Sequence, residues 1–260
     1  MAGEQRSLIS RAMTLVVVAV CFSVVRTSTI LLVPFPSYSH VNPLVTMAEM
    51  LTEKGHTVHM LLPSLYGHMA NLKSTTRVKV IEYQVKAWEW NAAMHAGKID
   101  AAMDYFDYVT QTTQLADIKA KYNGYYLLCK ELLSSKILDR QLRRGMTFDL
   151  GIVDSHPLTR CHYALMYKYG IPYVSYSQIY DPWLSWSPAM PSYVPIFLTE
   201  LTDEMSFWQR VVNVWTVLYW YLGNNLPADD QQFVAEYVPD KSPISARDLA
   251  IQSRLWLSDT

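Results

Sequence analysis

Two residues far apart in the sequence, His40 and Asp154, have side chains that could act together as a general base and its partner. A neutral imidazole can accept a proton from a hydroxyl near neutral pH. A carboxylate on the other ring nitrogen fixes the tautomer and stabilises the imidazolium that forms. The pair requires no serine or cysteine nucleophile, and it would let an acceptor oxygen attack a bound electrophile. His156, two residues after Asp154, is a rival partner.

Each of these residues also has a purely structural interpretation. A histidine in a loop commonly caps a helix or lies at the surface, and an aspartate at the end of a strand commonly caps the next helix. Asp154 or Ser155 could cap a helix predicted over 157–169. The choice depends on whether the fold brings His40 and Asp154 together.

The hydrophobic pattern predicts an α/β fold. Strands are predicted at 29–34, 57–62, 78–83, 148–154 and 171–175. A helix is predicted to open at Asn42 and Pro43 and to stop at Gly55, which leaves 35–41 as a loop. Helices are also predicted over most of 88–146 and over 157–169, the latter closed by Gly170. Alternating strands and helices indicate a Rossmann-like parallel sheet with helices on both faces.

The predicted sheet places both candidate residues at one edge. In a doubly wound sheet, ligands bind outside the carboxyl ends of the strands, at the point where the strand order reverses. The strands at that point are 29–34 and 148–154. His40 lies in the loop that leaves the first, and Asp154 is the last residue of the second. Both side chains are therefore predicted to face one crevice.

The N-terminal segment has the pattern of a secretory signal peptide. Arg6 and Arg11 precede an apolar run over 12–25. The run is shorter than the about 20 apolar residues that span a bilayer. We expect a signal peptide over 1–27, cleaved among 23–28, and a domain over 28–260 in the lumen of the endoplasmic reticulum. A retained signal anchor and a buried first helix are the alternatives.

Composition excludes some partners and leaves others open. The net charge is −1 and no basic stripe occurs, so nucleic acid is not expected to bind. Cys129 and Cys161 could form a disulfide or remain free buried thiols, and neither has the spacing of a metal site.

An ordered aromatic loop is predicted over 177–195 and a helix over 199–222. This helix is apolar on nearly every face from 211 onwards, so it is expected to join the core or to contact a membrane interface through 207–222.

Three ordered segments of the chain resemble the animal UDP-glycosyltransferases, the UDP-glucuronosyltransferase group. They are ILLVPFPSYSHVNPLVTMAEMLTEKGHTVHMLLPS at 30–64, FDLGIVDSHPL at 148–158 and MPSYVPIFLTELTDEMSFWQRVVNVW at 190–215. The resemblance implies the N-terminal half of a GT-B fold, which binds a small lipophilic acceptor, while a C-terminal domain binds the UDP-sugar. It implies that His40 deprotonates the acceptor hydroxyl and Asp154 balances the charge. The oxygen then attacks the anomeric carbon with inversion, and UDP leaves without the help of a metal or cofactor.

The resemblance also implies a glucuronic acid donor and a membrane-associated protein of the endoplasmic reticulum. Phe35, Tyr38, Tyr180 and Trp183 are expected to contact the acceptor, with core packing as the alternative. The family's donor-binding signature does not occur in these residues, so the chain alone is expected to transfer sugar slowly or not at all. The alternative is a ligand-binding or regulatory module that sequesters ligand, or that pairs with full-length relatives and lowers their activity. Homo- or hetero-oligomers are possible. A Rossmann protein of unrelated function is the third interpretation.

Overall fold

A six-stranded parallel sheet forms the centre of the computed structural model, which describes residues 27–65, 78–86, 115–143, 145–178, 189–196, 199, 201–223 and 230–258. Its order is β3-β2-β1-β4-β5-β6, and every neighbouring pair is parallel. The order reverses between β1 and β4, as predicted. The strands are β1 (Thr29–Val33), β2 (Thr57–Pro63), β3 (Val78–Tyr83), β4 (Leu150–Asp154), β5 (Tyr173–Ser177) and β6 (Trp256–Ser258).

Helices cover both faces of the sheet, which confirms the predicted fold class. Side chains alternate along a strand, so Ile30 and Leu32 pack against α1 while Leu31 and Val33 face the core formed with α2, α3, α4, α6 and α7. The helices are α1 (Tyr38–Glu53), α2 (Leu115–Ser134), α3 (Lys136–Arg143), α4 (Cys161–Tyr169), α5 (Phe207–Gly223), α6 (Gln231–Tyr237) and α7 (Ala246–Ile251).

The start of α1 was predicted wrongly. The helix begins at Tyr38, not at Asn42, because Ser37 takes the extended N-cap conformation, with φ −136° and ψ 155°. The Ser37 carbonyl accepts the N–H of Val41 at 2.9 Å. His40 therefore lies in the first turn of a helix and not in a loop, and Pro43 lies inside the helix.

Other element boundaries also differ from the predicted ones. β5 begins at Tyr173 because Pro172 has no N–H for the ladder, although its carbonyl accepts from Gly151 at 2.7 Å. The predicted helix at 157–169 is divided into a 3₁₀ turn, Pro157–Thr159, and α4. The helix predicted from 199 begins at Phe207, and β4 begins at Leu150 instead of 148.

The start of α5 carries a capping box that the pattern analysis overlooked. The Ser206 N–H donates to Gln209 Oε1 at 2.8 Å, and the Gln209 N–H donates to Ser206 Oγ at 3.4 Å. The short elements α6, α7 and β6 were not predicted either, because seven, six and three residues are too few to show a period. The predicted stops at Gly55 and Gly170 are confirmed, with φ of 91° and 68°.

Cys129 on α2 and Cys161 on α4 are joined in a buried disulfide, which settles the alternative left open by the sequence. The predicted helical stretch over 88–146 is confirmed for the part from residue 115, and its earlier part lies outside the described residues. The same holds for residues 1–26 of the predicted signal peptide and for 179–188 of the aromatic loop. Among the helices that the structure describes, none is long and apolar enough to cross a membrane.

Candidate active site

His40 and Asp154 meet above the carboxyl ends of β1 and β4. His40 Nδ1 lies 2.7 Å from Asp154 Oδ2, and both residues are buried, with exposed fractions of 7% and 1%. The parallel register that pairs Val33 with Val153 brings the two strand ends level, so the chain leaves both strands at the same edge of the sheet. The structure therefore brings the two predicted residues together, and their catalytic role stays a prediction.

The Asp154 carboxylate is held through both of its oxygens. Oδ2 faces His40, and Oδ1 accepts the backbone N–H of His156 at 3.1 Å. Two directional hydrogen bonds fix the plane of a buried carboxylate and satisfy its acceptors. In the tautomer that donates from Nδ1 to Asp154, the His40 Nε2 atom carries the lone pair that can take a proton. That is the arrangement a general base requires.

His156 contacts Asp154 through its backbone N–H, while its ring caps the following turn. Its Nδ1 accepts the N–H of Leu158 at 3.2 Å, so His156 caps the 3₁₀ turn, and the predicted capping by Asp154 or Ser155 was wrong. Burial, and then the positive charge that His40 can carry, holds the pKa of His156 well below its usual range. A neutral ring whose Nδ1 lone pair is occupied cannot compete with His40 as a base.

Phe35 is buried beneath the pair and packs on both histidines. Its ring stacks on His156 with centroids 3.7 Å apart and meets the His40 ring edge-on at 5.0 Å. Tyr125 of α2 packs against Phe35 at 5.1 Å. These contacts give Phe35 the packing role that was its alternative interpretation, and its contact with an acceptor stays a prediction.

The other predicted acceptor contacts have different outcomes. Tyr38 lies at the start of α1 with 63% of its surface exposed, so its ring is accessible to solvent. Tyr180 and Trp183 lie outside the described residues. In the part of the chain that the structure describes, no three His, Cys, Asp or Glu side chains converge as a metal site.

Gln178 is a site residue that the sequence analysis missed. It directly follows β5, and its side-chain amide donates a hydrogen bond to the carbonyl of Ser39, the residue before His40. A signal was present, because a polar residue directly after a strand that neighbours β4 must lie at the same edge of the sheet.

The family model described as UDP-glucoronosyl and UDP-glucosyl transferase matches residues 28–259. The chain is 27% identical to UDP-glucuronosyltransferase 3A2 of Mus musculus over 98% of this chain and 47% of that protein. It is 28% identical to UDP-glucuronosyltransferase 2B33 of Macaca mulatta and 27% identical to UDP-glucuronosyltransferase 2B7 of Homo sapiens, in each case over 70% of this chain and 35% of the relative. The chain thus spans half or less of the length of these relatives, and the match lies in their N-terminal half.

Solved structures with a similar fold are glycosyltransferases of low sequence identity. The glycotransferase of kitacinnamycin is 16% identical, with a TM-score of 0.48 over 90% of this chain and 46% of that chain. Arabidopsis thaliana UGT89C1 complexed with quercetin is 15% identical, with a TM-score of 0.40 over 60% and 36%. The family match over almost the whole chain decides the assignment: this protein belongs to the UDP-glucoronosyl and UDP-glucosyl transferase family.

Proposed function

We propose that this domain binds the acceptor and supplies the general base of an inverting UDP-glycosyltransferase. The observation that carries the proposal is the 2.7 Å contact between His40 Nδ1 and Asp154 Oδ2, at the point where the strand order of the sheet reverses. In a member of this family, a buried imidazole oriented by a buried carboxylate at the ligand-binding edge fits the proton transfer that the reaction needs.

The proposed reaction proceeds in one displacement. His40 Nε2 takes the proton of the acceptor hydroxyl as its oxygen forms a bond to the anomeric carbon of the sugar. The bond from that carbon to UDP breaks on the opposite face, and its electron pair leaves with UDP, so the configuration inverts. Asp154 stabilises the imidazolium that results. The UDP-sugar is a co-substrate, and no metal or other cofactor takes part, so a chelator should leave the rate unchanged.

We propose glucuronic acid as the sugar and a small lipophilic hydroxyl compound as the acceptor. The curated relatives are named UDP-glucuronosyltransferases, which supports the sugar. Tyr38, exposed two residues before His40, supports an apolar contact with the acceptor.

The test uses a chimera in which this chain supplies the N-terminal half and UDP-glucuronosyltransferase 2B7 of Homo sapiens supplies the C-terminal half. The chimera should form a glucuronide from UDP-glucuronate and a lipophilic phenol. His40→Ala should lower kcat by roughly 10²- to 10⁴-fold, because general-base catalysis is lost. His56→Ala is the matched control, since His56 contacts Ser28 on the opposite edge of the sheet and should leave kcat within about twofold. Equal rates for wild type and His40→Ala would refute the proposal.

We further propose that the domain enters the lumen of the endoplasmic reticulum. The basic and apolar N-terminal pattern and the Cys129–Cys161 disulfide, which suits an oxidising compartment, support this location. In microsomes made from expressing cells, the chain should resist added protease until detergent is present. Digestion without detergent would contradict the proposed location.

Helix α5 supports a proposed contact with the membrane interface. Over 207–218 only Asn213 and Val217 are buried, so the core alternative fails for most of this segment. Phe207, Trp208 and Trp215 are 70%, 73% and 71% exposed. These three residues form an exposed apolar stripe on α5 together with Val211, Val212, Val214 and Leu218.

Within 207–218, polar side chains of α5 donate and accept hydrogen bonds that attach the helix to the preceding segment, and Val217 adds a buried apolar side chain. Asn213 Oδ1 accepts the N–H of Ile196 at 2.9 Å, and its Nδ2 donates to the carbonyls of Pro191 and Val194 at 2.6 and 2.8 Å. The guanidinium of Arg210, the one charged residue in 207–223, donates to the carbonyl of Ser192 at 2.7 Å. An uncharged stripe with two outward indoles suits the headgroup boundary of a bilayer.

Phosphatidylcholine vesicles with brominated acyl chains test this contact, because bromine quenches only indoles that reach the acyl region. We expect Trp fluorescence of the chain to be quenched, and most of the quenching to disappear in Trp208→Ser/Trp215→Ser. Leu255→Ser, at a residue 54% exposed elsewhere, is the control and should keep it. Residues 1–26 contain no Trp, so binding through the N-terminal run cannot mimic the signal. Equal quenching in the double variant, or self-association that the double variant abolishes, would overturn the membrane contact.

A further inference from the structure

The first turn of α1, which carries His40, has few of the usual stabilising contacts. Its N-cap, Ser37, makes no side-chain capping hydrogen bond, and the first turn contains no acidic residue. N-terminal turns depend on such caps because their backbone N–H groups lack helical partners. The position of the His40 backbone therefore depends on contacts from outside the helix.

Pro43 removes a further contact from the same turn. In an α-helix the carbonyl of Ser39 would accept the N–H of residue 43, four positions later. Residue 43 is a proline inside the helix, so it has no N–H, and its ring crowds that same carbonyl. The sequence thus leaves the carbonyl next to His40 without its normal helical donor.

Gln178 supplies a donor to that carbonyl from the end of β5. Its side-chain amide donates to the Ser39 carbonyl across 139 residues of sequence. β5 pairs directly with β4, where Asp154 is opposite Tyr176, two residues before Gln178. His40 is consequently held through its ring by Asp154, the last residue of β4, and through the preceding carbonyl by Gln178, which directly follows β5.

We infer that Gln178 is a positioning residue for the proposed base: it replaces the hydrogen bond that Pro43 removes and so sets the direction of the His40 ring. This inference rests on the proposed function for its catalytic consequence. The tether itself, which is the hydrogen bond from Gln178 to the Ser39 carbonyl, is a property of the fold. Because Gln178 acts through the backbone of Ser39, it should affect kcat more than the acceptor KM.

The tether predicts an unusual rescue. Gln178→Leu leaves the Ser39 carbonyl without either donor, so the first turn of α1 should fray. Pro43→Ala restores a backbone N–H at residue 43, which can bond to Ser39 in the ordinary helical way. The double variant Pro43→Ala/Gln178→Leu should therefore behave like wild type, because the substitution at residue 43 repairs the defect that Gln178→Leu causes. Gln252→Leu, at an exposed glutamine on the C-cap of α7, is the matched control.

Two measurements distinguish a failed tether from a failed function. In the chain itself, hydrogen exchange of the amides of His40 and Val41 should accelerate roughly tenfold in Gln178→Leu, the factor expected for one net hydrogen bond, and return to the wild-type rate in the double variant. In the chimera, kcat should fall and recover in the same order, with the acceptor KM nearly unchanged. Unchanged exchange in Gln178→Leu, or no recovery in the double variant, would overturn the tether. If exchange follows the prediction while kcat does not respond to Gln178, the tether stands as a structural contact and the positioning role is refuted.

Discussion

Three buried histidines outside the pair are kept neutral by their surroundings. Burial lowers the pKa of His59, His156 and His162, and for His162 the pKa falls to about 3. The charge of Lys79 adds to the effect on His59. Among the histidines that the structure describes, His40 is the one whose ring nitrogen lies against a buried carboxylate, so the fold separates one histidine suited to proton transfer from these three. The sequence offered His156 as a rival because spacing alone does not reveal which ring will cap a turn.

His162 should make the domain sensitive to acid. Its pKa is about 3 when folded and near 6.5 when unfolded, so the unfolded chain gains a proton first as the pH falls. The stabilising contribution is complete above pH 6.5 and is lost by about 1.4 kcal/mol per pH unit between 6.5 and 3. Between pH 7 and pH 4.5 the free energy of unfolding in urea should fall by about 2 to 3 kcal/mol less for His162→Leu than for wild type. An equal fall in the two proteins would contradict this assignment.

At the scale of elements, the sheet edge was predictable and the helix starts were not. A continuous apolar run identified β1, because strands buried on both faces have that pattern. Pro43 was interpreted as the first helical position, where proline is common, but the donor from Gln178 lets it lie one turn further in. Such compensation comes from a residue 135 positions away, so local pattern analysis could not detect it.

The disulfide between α2 and α4 should contribute strongly to stability. It closes a loop between residues 32 positions apart, which corresponds to about 3 to 4 kcal/mol from the restricted unfolded chain. Urea unfolding of Cys129→Ala/Cys161→Ala should show this loss, and wild type in reductant should match the variant. Tyr125, one turn from Cys129, packs on Phe35 beneath His40, so the same variant should also loosen the floor of the site. A midpoint unchanged by both treatments would contradict the assigned bond.

At the scale of the whole molecule, one edge of the sheet gathers His40, Asp154 and Gln178 from three separate segments. The switch-point rule predicted the first two from sequence, because it depends only on strand order. It does not specify side-chain hydrogen bonds, and those depend on packing across the completed sheet. The chain matches the N-terminal half of its relatives, and we propose that transfer also needs a donor-binding half.

If acceptor binding and donor binding belong to different halves, binding of the acceptor and sugar transfer should behave differently in the purified chain. The purified chain should bind a lipophilic phenol in calorimetry and form no measurable glucuronide from UDP-glucuronate. Added to UDP-glucuronosyltransferase 2B7 of Homo sapiens, it should not change that enzyme's kcat. A lowered kcat would favour the regulatory alternative, and glucuronide formed by the chain alone would contradict the division.

The coupling between His40 and Asp154 in the chimera tests the central claim most directly. The kcat values of wild type, His40→Ala, Asp154→Asn and the double variant form a double-mutant cycle. We expect Asp154→Asn alone to lower kcat by about 10²- to 10⁴-fold, but to cost less than about threefold once His40 is absent, because the carboxylate acts only through the imidazole. Losses that multiply in the double variant would show that the two side chains act independently and would contradict the account.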